Sequence, residues 1–135
     1  MSALRAFIVE DSPVILENLV NTLQEVANID VIGSVGDEAG ALDWLAHQPQ
    51  VGADLIIVDI FLSSGTGLAV LQAAKKLGVQ AHRVVLTNYA TQDMRRRCLE
   101  LGAEQVFDKS RQLDELINYC TDLAATQGLR PDLPR

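Results

Sequence analysis

Six residues of this chain have side chains suited to holding a phosphoryl group or the divalent metal that accompanies one: Glu10, Asp11, Asp37, Asp59, Thr87 and Lys109. Each falls at the end of a short apolar run, so the five runs share one pattern. Asp11, Asp59 and Lys109 would bring two carboxylates and one ammonium to a single small pocket. Hard carboxylate oxygens suit Mg²⁺, and an ammonium suits the negative charge of a transferring phosphoryl group. This grouping requires the runs to be parallel strands of one open sheet, because such sheets bind ligands at their carboxyl edge.

The elements that would position these residues can be read in order. Ala6–Val9 is an apolar run of strand length, and Ser12-Pro13 then opens a helix with a capping hydroxyl and a proline at its first position. Leu16, Leu19, Val20, Leu23, Val26 and Ala27 recur at helical spacing as one apolar stripe. A second strand spans 30–35, and Asp37 can cap a helix that buries Leu42, Leu45 and Ala46. Residues 54–58 form a continuous apolar run, the mark of a central strand covered on both faces. The loop 63–67 leads to a helix with Leu68, Leu71 and Ala74 inward and Gly78 as its stop. A fourth strand at 83–86, a helix at 91–101, a fifth strand at 105–107 and a last helix from near Ser110 complete the alternation. In that last helix Leu113, Leu116, Ile117, Cys120, Leu123 and Ala124 keep helical spacing.

Strictly alternating strands and helices imply right-handed parallel crossovers, hence an α/β doubly wound five-stranded parallel sheet with helices on both faces. The flavodoxin-like (βα)5 order 2-1-3-4-5 makes strands 1 and 3 neighbours at the switch point, where Asp11 and Asp59 face each other. One domain over 1–126 is expected, followed by a flexible tail over 127–135 that lacks periodicity.

Composition narrows the function classes. The net charge of −7 argues against direct nucleic-acid binding, since the phosphate backbone rewards excess Lys and Arg. No apolar stretch approaches the roughly 20 residues of a membrane span, and the first residues lack a signal pattern, so a cytoplasmic protein with no membrane partner is expected. Cys98 and Cys120 sit at helical core positions and read as small core residues.

In these residues the chain resembles the receiver domains of two-component response regulators, over positions 4 to about 125. The match consists of Glu10-Asp11 after strand 1, Asp59 after strand 3, Thr87 after strand 4 and Lys109 after strand 5, with Gly67 and Gly102-Ala103 between elements. The resemblance implies that Asp59 is the phosphoacceptor and that Glu10, Asp11, Asp59 and the backbone carbonyl of Phe61 hold Mg²⁺. It also implies that Thr87 and Lys109 bind phosphoryl oxygens. The implied partner is a sensor histidine kinase, with an unknown downstream protein, and the implied role is a stand-alone signalling module that catalyses only its own phosphorylation and dephosphorylation. A phosphorelay intermediate that passes phosphate to a histidine phosphotransfer domain is the alternative. A haloacid-dehalogenase-like phosphohydrolase is disfavoured, because its acid/base Asp would fall at Phe61.

Several positions depart from the family pattern. Val106 occupies the place where many receivers carry a switch aromatic, and Phe107 should point to the other face. Ser110 replaces the usual proline after the lysine, which predicts a trans bond and a serine free to cap the last helix. Ser63 likewise replaces a common proline. Phe61 and Tyr89, each two residues past a site residue, should flank the phosphoryl group and exclude water. Arg95-Arg96-Arg97 read as a solvated face, His47 and His82 as neither metal ligands nor phosphotransfer groups, and Trp44 as partial packing. With only Met94, Cys98 and Leu101 as an apolar side on the fourth helix, a monomer or weak phosphorylation-dependent dimer is expected.

Overall fold

The computed structural model describes residues 4–47 and 52–129. Its elements are β1 (Leu4–Val9), α1 (Pro13–Val26), β2 (Ile29–Val35), α2 (Glu38–Ala46), β3 (Leu55–Val58), α3 (Gly67–Leu77), β4 (His82–Thr87), α4 (Gln92–Glu100), β5 (Gln105–Asp108) and α5 (Leu113–Leu129). All strand pairs are parallel, in the order β2-β1-β3-β4-β5. The expected fold is the observed one.

Strand alternation divides the apolar residues between two layers. Phe7, Val9, Ile56, Val58, Val85 and Val106 pack under α2, α3 and α4, against Leu45, Leu71, Ala74 and Cys98. Ala6, Ile8, Leu55, Ile57, Val84, Leu86 and Phe107 pack under α1 and α5, against Leu19, Leu23, Leu116 and Cys120. Residues such as Ile8, Ile57 and Leu116 are fully buried, and truncating any one of them to alanine should cost about 2–5 kcal/mol. Val106 and Phe107 do face opposite layers, and both cysteines are free and buried.

Local chemistry sets the helix ends. The Ser12 hydroxyl accepts from the Ile15 amide, and Asp37 accepts from the Gly40 amide at 2.8 Å. Gly78 closes α3 in the left-handed region at φ 70°, as expected of a stop residue. The last helix departs from expectation. It begins at Leu113 rather than near Ser110, whose amide and hydroxyl both donate to Asp108 Oδ1 and hold it in the turn before the helix. The Lys109–Ser110 bond is trans, as expected. α5 runs to Leu129, past the expected boundary at 126, and the remainder of the tail lies outside the described residues.

Three residues of the expected apolar stripes are exposed: Val26, Ala46 and Leu113. Val26 is 62% exposed, because α1 meets the sheet along the i, i+4 row Leu19, Leu23 and Ala27, and a further i+3 step from Leu23 leaves that arc. On α2 the buried residues are Ala41 and Leu45, which leaves Leu42 at the margin and Ala46 exposed. Trp44 packs more specifically than expected, its ring stacked on Phe7 with centroids 3.7 Å apart. The Phe7 ring also lies against Gly33, where an added Cβ would stand 3.3 Å from a ring carbon.

Candidate functional site

Backbone pairing carries the acidic residues to one edge. The Glu10 amide donates to Val35 O at 3.0 Å and the Asp59 amide to Val9 O at 2.9 Å, so both residues extend the ladders of β1 and β3. Lys109 follows β5 and donates its amide to Thr87 O at 2.8 Å. Its side chain then crosses to the centre of the sheet edge. Nζ lies 2.8 Å from Asp59 Oδ2 and 2.9 and 3.1 Å from the two oxygens of Glu10.

The structure brings Glu10, Asp11, Asp59 and Lys109 together. One carboxylate oxygen from each of the three acids lies within 4.8 Å of the others. Glu10 and Asp59 are buried, and Asp11 is half-buried toward the opening. Thr87 is fully buried at the neighbouring strand end, its hydroxyl accepting from the Tyr89 amide at 3.5 Å. Phe61 begins the loop after β3, and its amide donates to Asp59 Oδ1 at 3.2 Å. Asp37 stands apart from this group as the cap of α2.

Three carboxylates face one ammonium, which leaves excess negative charge in a mostly dry pocket. Burial pushes the Asp59 carboxyl above its usual range, and the nearby Asp11 adds to that; Lys109 and the Phe61 amide oppose it without reversing it. Glu10 is raised for the same first reason, with Asp59 as the repelling neighbour. Burial alone would lower Lys109, but its hydrogen bonds to Asp59 and Glu10 outweigh that and hold its pKa up.

These features fit a divalent cation. Glu10 Oε1 is buried without a hydrogen bond, close to Nζ but not in bonding geometry with it. An orphaned carboxylate oxygen beside two further acids is the donor chemistry Mg²⁺ takes, with water completing an octahedron. The other Glu10 oxygen is fixed by the Ser12 amide at 2.9 Å, which aims the carboxylate.

The loop between β3 and α3 is shaped by contacts that short-range sequence patterns do not show. Phe61 and Thr66 form an isolated antiparallel bridge, and the Thr66 hydroxyl donates to Ile60 O. Gly67 must be glycine, because a Cβ there would lie 2.2 Å from the carbonyl oxygen of Asp59. Glu38, missed in the sequence, accepts from the Thr66 amide at 3.0 Å, and its own amide donates to Ser64 O. Phe61 and Tyr89 are 49% and 64% exposed and meet edge to face with centroids 5.2 Å apart. His82 pairs with Glu104 at the opposite edge of the sheet. Arg95 is not the solvated residue expected, since its guanidinium donates to Ala90 O, Val106 O and Gln112 Oε1.

A doubly wound parallel sheet with a buried acid–lysine cluster at its switch point places the candidate site where open α/β sheets bind ligands. The chain belongs to the response regulator receiver domain family, whose model matches residues 6–121. It is 31% identical over 114 residues to the transcription regulator BvgA of Bordetella pertussis, covering 84% of this chain and 53% of that protein. It is 25% identical over 125 residues to the DNA-binding transcriptional activator DevR/DosR of Mycobacterium tuberculosis, covering 93% and 56%. The solved structure of the phosphorylated cyanobacterial phytochrome response regulator RcpA shares the fold at a TM-score of 0.76 and 21% identity, over 100% of both chains.

The chain thus spans about half the length of the curated relatives it matches. These relatives correct the expectation of partners without nucleic acid, because DevR/DosR is by name DNA-binding and BvgA a transcription regulator. The physical reason is one of scope: a charge of −7 describes these 135 residues and carries nothing about what the unmatched half of such a relative binds. Among the described residues no helix is long and apolar enough to cross a membrane.

Proposed function

We propose that this receiver accepts a phosphoryl group on Asp59 from the phosphohistidine of a sensor histidine kinase, and signals by the change that follows. The observation that carries this reading is the Asp59 carboxylate itself: buried, bound to Lys109 Nζ at 2.8 Å, and within metal-sharing distance of Glu10 and Asp11. Glu10, Asp11, Asp59 and the carbonyl of Phe61 would hold Mg²⁺, whose charge offsets the carboxylate excess and the incoming phosphoryl oxygens.

An Asp59 oxygen forms the new bond to phosphorus as the phosphorus–nitrogen bond breaks, and the electron pair of that bond returns to the imidazole. The remaining groups act by position. Lys109 meets charge on one phosphoryl oxygen, the Thr87 hydroxyl donates to another, and the buried walls restrict water. The names of the relatives support an output in transcription.

Acetyl phosphate with Mg²⁺ replaces the kinase in the simplest test, read by intact mass. The parent should gain one phosphoryl group and Asp59→Asn none. Asp11→Asn should take it up slowly, with partial recovery at higher Mg²⁺ as weakened metal binding is saturated. Unchanged uptake by Asp59→Asn would overturn the proposal.

A further inference from the structure

Lys109 reaches the acids from a turn that is held locally by the bonds of Ser110 and Gln112 to Asp108 and of Lys109 to Thr87 O, and from outside by one residue of α4. Arg95 lies in the first turn of that helix. Its Nε donates to Ala90 O at 3.1 Å, in the loop that follows Thr87. Nη1 donates to Val106 O on β5, and Nη2 to Gln112 Oε1 at 2.7 Å. That same oxygen accepts the Asp108 amide at 2.9 Å, and the Gln112 amide donates to Asp108 O at 2.7 Å. Lys109 therefore sits in a short turn closed by Thr87 on one side and by the Gln112–Arg95 pair on the other.

We infer that Arg95 is a positioning residue for Lys109, fixing the β5–α5 turn so that the ammonium stands between Glu10 and Asp59. A guanidinium suits this task, because its donors form a rigid planar fork that serves three separate acceptors, in the loop before α4, in β5 and in the β5–α5 turn, from one side chain. Its neighbours have no such role: Arg96 is exposed and pairs with Asp93 on its own helix. The inference links the loop after Thr87, the strand leading into Lys109 and helix α4 through one cation. It rests on the proposed role of Asp59.

The test uses the full chain with Arg95→Met, Gln112→Leu, both together, Gln112→Glu, and Arg96→Met as the exposed control. Two quantities are read: hydrogen exchange of the Asp108 and Lys109 amides, and the rate of phosphate uptake from phosphoramidate with Mg²⁺. Arg95→Met and Gln112→Leu should each speed exchange at those two amides about tenfold while β1 and β3 amides keep their protection. Uptake should slow by a comparable factor. The double variant should be no worse than either single one, and Gln112→Glu, which keeps the shared acceptor, should return both readouts toward the parent. Arg96→Met should match the parent.

Parent-like exchange and uptake in Arg95→Met would overturn the inference, as would effects that simply multiply in the double variant. If Arg95→Met fails to fold, Gln112→Leu decides by the same two readouts. A parent that takes up no phosphate defeats the reading of Asp59 instead, and the exchange arm still decides the role of Arg95.

Discussion

Two clusters of ionisable side chains stand at opposite edges of the same sheet, and their carboxyls are shifted in opposite directions. At the amino edge Glu104 accepts from His82 at 2.8 Å and from the Tyr119 hydroxyl at 2.7 Å, with His82 and Glu104 side chains 31% and 44% exposed. Burial tends to raise this carboxyl, but the Tyr119 and His82 hydrogen bonds win, and it titrates below its usual range. At the carboxyl edge Glu10 and Asp59 share one ammonium in a drier setting, and burial wins: both carboxyls are raised. A satisfied cluster near solvent supports the fold. A buried cluster with surplus charge is poised to take a cation and an electrophile.

The largest contrast should come from removing one partner at each edge. Lys109→Met strands two buried carboxylates and should cost about 3–5 kcal/mol at neutral pH, and with it nearly all phosphate uptake. Glu104→Gln keeps an acceptor for Tyr119 in a part-exposed pair and should cost under about 1 kcal/mol, with uptake intact. Urea denaturation alongside intact-mass labelling checks both. Equal losses at the two edges would erase the contrast.

The pH dependence should differ in sign. Because the folded state holds protons on Glu10 and Asp59 more tightly than the unfolded chain, metal-free stability falls as pH rises from about 4, the ordinary carboxyl value, through their raised folded values. Glu104 acts oppositely: its contribution is present above that ordinary value and lost as pH falls through its lowered one. Relative to Asp59→Asn, the parent should therefore lose stability as pH rises above about 4, the ordinary carboxyl value, and Mg²⁺ should shrink that loss. A parent-minus-variant difference that is flat with pH contradicts the raised Asp59 carboxyl.

The smallest expected effect concerns how long a phosphoryl group lasts. The exposed Phe61–Tyr89 pair at the mouth should restrict an in-line water, so the Phe61→Asn, Tyr89→Glu double variant should lose phosphate several-fold faster. Unchanged decay would assign these rings to a partner surface instead.

Legibility in the sequence followed the range of the interactions. The strand ends and the opposite facing of Val106 and Phe107 follow from alternation, which is local, whereas the 2-1-3-4-5 order was legible only because it brings Asp11 and Asp59 to one crevice. Glu10 with Asp11, Asp59 and Lys109 were recoverable because each stands at the end of an apolar run. Thr66 is 28 residues from Glu38, and Gln112 is 17 from Arg95, so no periodicity could reveal those bonds. Ser110 does not start the last helix, since its amide and hydroxyl both donate to Asp108, two residues earlier, and keep it in the preceding turn. Val26 failed because the apolar stripe read from spacing is wider than the arc that α1 lays on the sheet.

The central claim is that the buried carboxylate of Asp59, and no other acid at this edge, forms the bond to phosphorus in a metal-assisted site. Peptide mapping of the parent after phosphoramidate treatment, with and without Mg²⁺, tests it most directly. The account predicts the label on Asp59 alone and strong dependence on Mg²⁺. Label on Glu10 or Asp11, or equal labelling of Asp59 without the metal, would contradict it.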